Sequence, residues 1–181
     1  MENRLKLVDV AAVLSDMRSN GVIGKYAVGG ASAVAFYTEP IATKDLDIFF
    51  VFEPPQSSVV LSLEPIYIYC REKGYTFDHE FINIGGWPVQ FVESAHDPLW
   101  RDALENSITF TFDSESLDVL PAEHLAAMWA VVARPKDILK IQHFAESKVL
   151  DPGKLKAILE RFELIETWRK IQGGLPDGLR F

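Results

Sequence analysis

Asp45 and Asp47 stand two residues apart inside an apolar stretch that includes Leu46, Ile48, Phe49, Phe50 and Val51. Side chains on a strand alternate between faces, so the two acids project to one side while Leu46 and Ile48 can enter a core on the other. The segment therefore predicts a strand over 45–52 with one buried face and two neighbouring carboxylates, ended by Glu53-Pro54-Pro55. Paired carboxylates repel each other, and a divalent cation relieves the repulsion. Oxygen donors at this spacing suit Mg²⁺, whose shell is commonly completed by waters and nucleotide phosphates. A solvated edge strand would share the spacing but not the apolar neighbours.

Upstream, Tyr26-Ala27-Val28 reads as a short strand, and Gly29-Gly30 leads into a small-residue helix from Ala31 to Tyr37. A strand entering a helix through two glycines brings free backbone N–H groups close to a bound anion. Gly29 and Gly30 are thus candidates for a phosphate cradle. Ser32, in the first turn, either gives its hydroxyl to the same anion or caps its own helix. Lys44 points away from Asp45 and reads as a solvated lysine.

Around this centre the periodicity predicts a helix over 4–19, carrying Leu5, Leu7, Val8, Ala11, Ala12 and Leu14 and closed by Asn20-Gly21. A helix is expected over 58–73, a hairpin of 79–84 and 87–92 around Gly85-Gly86, and a strand over 108–112. From Pro121 the chain turns helical, over 122–133, 135–147 and 152–171, with residues 173–181 as a loose tail on which Phe181 can dock. The division expected is an α/β core over 1–120, a helical segment over 121–172 packed on it, and the tail.

The 181 residues carry 18 Lys plus Arg against 26 Asp plus Glu, a net charge of −8 that opposes nonspecific binding to nucleic acid. Cys70 is the only cysteine, which excludes an intramolecular disulfide and suits a reducing cytoplasm. The longest unbroken apolar run, 125–133, is far short of a membrane span, and the N-terminal pattern is unlike a signal peptide. The four histidines have no spacing that suggests zinc, and the four tryptophans lie outside basic stretches, as core or interface residues would.

An apolar strand, Gly29-Gly30, a short helix and then Asp45-Leu-Asp47 on the next strand resembles the nucleotidyltransferase superfamily that includes DNA polymerase beta. The likeness extends through Leu117–Trp129 and Arg134-Pro-Lys-Asp137, covers roughly residues 22–145, and is nearest the small bacterial branch of abortive-infection type toxins. It implies an α+β fold: a mixed β-sheet flanked by helices, with a C-terminal helical segment.

The resemblance also implies a chemistry. Metal ions held by three carboxylates bind a nucleoside triphosphate, and an acceptor hydroxyl attacks the α-phosphorus in line. Asp45 and Asp47 match two of the acids, as Mg²⁺ ligands. The third position falls in Trp87–Glu93, where Gln90 stands instead of an acid, with Glu80 and Glu93 as alternatives if the register allows. An arginine often found just before the acid pair is replaced by Ile41. Lys136 is the candidate to reach phosphate, oriented by Asp137. The acceptor is an RNA, a protein or a small molecule, and a homodimer or cognate partner is compatible with the pattern. The alternative is an impaired protein of the same fold that binds a nucleotide or partner without turnover.

Overall fold

The computed structural model describes residues 2–54, 62–112 and 115–181. Expectations that fall on residues 55–61, and the place of the Leu5 side chain in its helix, lie outside what is described. Helix α1 (Glu2–Ser19) leads to β1 (Tyr26–Val28), a 3-10 turn (Ser32–Phe36) and β2 (Leu46–Phe50). Helix α2 (Glu64–Glu72) is followed by β3 (Thr76–Asp78), β4 (Phe81–Ile84), β5 (Trp87–Glu93), α3 (Pro98–Glu105), β6 (Ile108–Phe112) and β7 (Glu115–Val119). The chain then runs through α4 (Ala122–Val132), α5 (Pro135–Glu146), α6 (Pro152–Arg161) and α7 (Ile165–Arg169).

The strands form one mixed sheet in the order β3-β4-β5-β2-β1-β7-β6. At its centre β2 runs antiparallel to β1 and parallel to β5, and β1 pairs in parallel with β7. The expected mixed sheet with flanking helices and a C-terminal helical segment is thus what the chain forms. On β2, Leu46, Ile48 and Phe50 are fully buried on one face, with Val89 and Phe91 of β5 beside them in register. Helix α1 contributes Val10, Ala11, Leu14 and Met17 to the core at helical spacing. Phe49, on the other face, meets Trp100 of α3 edge-on, with 5.6 Å between centroids.

Several elements differ from expectation, each for a local reason. The helix after Gly30 is a 3-10 turn whose first residue donates its side chain backward, from Ser32 Oγ to Gly29 O at 3.0 Å. Strands β3 and β7 were not anticipated: β3 is three exposed edge residues, and β7 takes up the stretch leading into α4. Helix α3 is announced by Asp97, whose carboxylate accepts from the backbone N–H groups of Leu99 and Trp100 ahead of Pro98. The single helix expected over 152–171 breaks after Arg161, where Glu163 takes a left-handed φ of 57°. The break lets α7 place Trp168 wholly inside the core.

The tail is docked. Leu175 and Leu179 are buried, Trp168 Nε1 donates to Leu179 O at 2.8 Å, and Phe181 N donates to Gln172 Oε1 at 3.0 Å. Deleting residues 175–181 is expected to cost about 3 kcal/mol or more, from two lost leucine burials and an orphaned indole N–H, read as a shifted denaturant midpoint. A second expectation concerns Cys70, which is fully buried; burial pushes its thiol up to about 11. Little thiolate is then present at pH 8, so iodoacetamide should label Cys70 only after unfolding, as followed by intact mass.

Candidate active site

The turn between β1 and the 3-10 helix is built around two glycines with different tasks. Gly29 donates its N–H to Asp47 O at 2.9 Å, and a Cβ there would lie 2.3 Å from the Phe49 ring. Gly30 has a left-handed φ of 57°, and a Cβ on it would sit 1.7 Å from Asp47 Oδ2. Only glycine fits between this turn and the carboxylate. Ser32 is buried and spends its hydroxyl proton on Gly29 O, so in this structure it braces the turn rather than standing free.

Asp45 immediately precedes β2 and Asp47 lies within it. Thr43 Oγ1 donates to Asp45 Oδ1 at 3.0 Å and also lies 3.2 Å from Asp45 O, which holds the first acid to the loop before the strand. Burial raises the Asp47 carboxyl above its ordinary range; the like charge of Asp45 raises it further, while Lys140, Lys136 and Arg134 pull it back. The two acids are therefore within electrostatic reach of each other and of three cations from the start of α5.

The β2–β5 register sets Gln90 directly opposite Asp47. Neighbouring residues in register share a face, so the amide side chain comes up beside the carboxylate. Glu93 pairs with Phe50, three residues along and on the opposite face, and its Oε1 accepts from Ala95 N at 2.9 Å. Glu80 is exposed in the turn between β3 and β4, at the far edge of the sheet. The register thus separates both alternative acids from the pair. Among the described residues no three His, Cys, Asp or Glu side chains converge as a metal-holding group. Asp45 and Asp47 thus bring two carboxylates to the start of β2, and an amide rather than a third carboxylate stands opposite Asp47.

The cations arrive through a buried ion-pair cluster. Asp137 is completely buried, with Lys140 Nζ at 2.7 Å from Oδ1 and Arg134 Nε at 2.6 Å from Oδ2. Burial alone would raise its carboxyl, but the hydrogen bonds from Arg134 and Lys140 outweigh this and leave it below its ordinary value. Lys140 is itself buried, 4.7 Å above the Trp129 ring of α4. Asp137 was expected to orient Lys136; it holds Arg134 and Lys140 instead, and Lys136 stands exposed. The sequence reading passed over Lys140, although its i,i+3 spacing from Asp137 on a predicted helix was visible.

Two cross-links tie α5 to the loop after the 3-10 turn. His143 Nε2 lies 3.1 Å from Glu39 O, and Thr38 Oγ1 donates to Ser147 Oγ at 3.0 Å. Tyr37 adds a hydrogen bond to Leu120 O at 2.8 Å and an edge contact with Phe144 of α5. These contacts fix the α5 cations relative to the glycine turn.

No protein-family model and no curated protein matches this chain. Among solved structures, the fold is similar to an antigenic nucleotidyltransferase-like protein from Paracoccidioides brasiliensis, at 13% identity and a TM-score of 0.54, over 91% of this chain and 92% of that one. It is also similar to ANT(2")-Ia, solved in complex with adenylyl-2"-tobramycin, at 13% identity and a TM-score of 0.53, over 89% of this chain and 97% of that one. The chain therefore has a nucleotidyltransferase-like fold.

Removing the Asp137 carboxylate strands the Lys140 charge in the interior. Asp137→Ala is expected to destabilise the protein by about 3–5 kcal/mol in denaturant unfolding. Because the folded carboxyl is depressed, the stability it contributes is full above the unfolded value of 3.8 and is lost as pH falls through the folded value. Asp137→Asn should therefore flatten the acid limb of a stability–pH profile relative to the unsubstituted protein.

Proposed function

We propose that the chain is a Mg²⁺-dependent nucleotidyltransferase that moves a nucleoside monophosphate from a nucleoside triphosphate to the hydroxyl of an acceptor, whether RNA, protein or small molecule. The observation that carries this reading is the meeting, at one carboxylate, of the Gly29–Gly30 turn, the Asp45 charge and the α5 cations. Gly29, Gly30 and Ser32 are the proposed phosphate-side residues, with Lys136 and Arg134 offsetting phosphate charge from the start of α5. Asp45 and Asp47 would hold the metal, which when bound neutralises charge developing on the phosphoryl oxygens.

In the transfer the acceptor oxygen forms a bond to the α-phosphorus, the bond to the leaving pyrophosphate breaks, and the hydroxyl proton goes to solvent. Gln90, opposite Asp47, accepts a hydrogen bond from the incoming hydroxyl through its carbonyl and so orients it. The amide has no basic atom at neutral pH, so it positions the acceptor without taking the proton. Within the superfamily, Leu117–Trp129 and Arg134–Asp137 support a place near the bacterial abortive-infection type toxins. The same Gln90 favours a second reading, a nucleotide binder of this fold that does not turn over.

Labelled triphosphates incubated with the protein, Mg²⁺ and a cell extract separate the two. Transfer of label to an acceptor, abolished in a folded Asp47→Asn variant, is the expected result; triphosphate binding with no labelled acceptor supports the binder. Gln90→Asp adds a third carboxylate beside Asp47 and should tighten Mg²⁺ binding by about tenfold in calorimetry. Unchanged Mg²⁺ affinity in that variant, or persistent labelling by Asp45→Asn, Asp47→Asn protein, contradicts the assigned site.

A further inference from the structure

Behind the acid pair lies a cavity of about 600 Å³ that shares Ser32 with the proposed phosphate side but opens on the other face of the sheet. Its walls include Leu46 and Trp87, which belong to the sheet face opposite Asp47 and Gln90, together with Phe36, Ile41 and Phe110. Phe36 and Phe110 meet edge-on at 5.3 Å between centroids and so brace one wall. No Asp, Glu, Lys, Arg or His lies among the described residues that line it. The polar groups there include the hydroxyls of Ser32, Thr43 and Thr111, and all three are engaged within the protein, with Gly29, Asp45 and Ser116.

A concavity of this size with apolar and aromatic walls and a few hydroxyls has the make-up of a small-molecule site. Against the described lining, a charged ligand would lose hydration without gaining a counter-charge. We infer that this cavity is a second ligand site, selective for an uncharged, largely apolar ring compound, on the sheet face opposite the acid pair. The site also communicates with the acid pair. Residues 40–43 form one wall without interruption, and the last of them, Thr43, holds Asp45 by its hydroxyl. A ligand that fixes this wall fixes Asp45, so occupancy and cation binding at Asp45 are coupled, and reciprocally so.

The probe is N-phenyl-1-naphthylamine, an uncharged fluorophore, compared with 1-anilinonaphthalene-8-sulfonate, which has a similar ring system and carries a negative charge. Metal-free, nucleotide-free protein should bind the uncharged probe saturably at one site, with the sulfonate weaker by about tenfold or more. Ala35 and Ala42 line the cavity with exposed side chains, so they can be changed without disturbing the core. Ala35→Trp should fill the space, and Ala42→Glu should place a charge in its wall; each is expected to weaken the probe by about tenfold while circular dichroism stays unchanged. Non-saturable binding, equal affinity for the two dyes, or full binding by both folded variants overturns the site. Addition of Mg²⁺ should shift the probe affinity in the starting protein but not in Thr43→Val. A protein that binds Mg²⁺ with no such shift refutes the coupling. Probe binding that survives with no detectable Mg²⁺ binding instead refutes the reading of Asp45 and Asp47 and leaves the cavity site standing.

Discussion

A carboxylate with no exposure to water is tenable only with its charge answered on the spot, and Asp137 is answered twice, by Arg134 three residues before it and Lys140 three residues after. That arrangement works only on a helix, where i,i+3 neighbours share a face. It therefore holds the first two turns of α5 in register with α4, through Lys140 over Trp129. It also gives the start of α5 a fixed pair of cations, while Lys136 is exposed beside them. The glycine turn and the acid pair depend on this in turn: without the α5 charges, Asp47 would face burial and the repulsion of Asp45 with nothing to oppose them.

What the sequence made legible is what short-range chemistry controls. The β1 and β6 boundaries, the Gly85-Gly86 hairpin and the start of each proline-led helix after Pro121 follow from β-branched runs, left-handed glycines and first-turn prolines. Strand β7 was missed because its hydrophobic pair, Leu117 and Val119, earns its place only through pairing with β1 and β6, partners far away in the chain. The break between α6 and α7 carries no glycine or proline; it comes from the demand to bury Trp168, a tertiary constraint with no local signature.

The site divides the same way. The two acids and the two glycines were readable because each obeys a local rule: alternation on a strand, and a turn that needs a left-handed residue. Gln90 was located through the resemblance, and the β2–β5 register then put it opposite Asp47 while sending Glu93 to the other face. Register was the missing quantity, since a shift of one residue would have exchanged those faces. Lys140 was passed over for a different reason: a lysine read as a charge is assigned to the surface, whereas here its stem is buried and its ammonium is shared between a carboxylate and an indole ring.

The charge distribution bears on the kind of partner the site can take. The net charge of −8 repels a polyanion at long range; near Asp47, Arg134 and Lys140 are engaged with Asp137, and Lys136 is the exposed cation of the three. Long-range repulsion falls off within about 10 Å in salt, so the groups that lie close to Asp47 set the charge felt there. On the back of the sheet, the described residues that line the cavity beside Thr43 carry no charge. A cluster of charged groups on one face of the sheet and the apolar described lining on the other meet at the short loop that carries Asp45, and this proximity makes the loop the element through which they can act on each other.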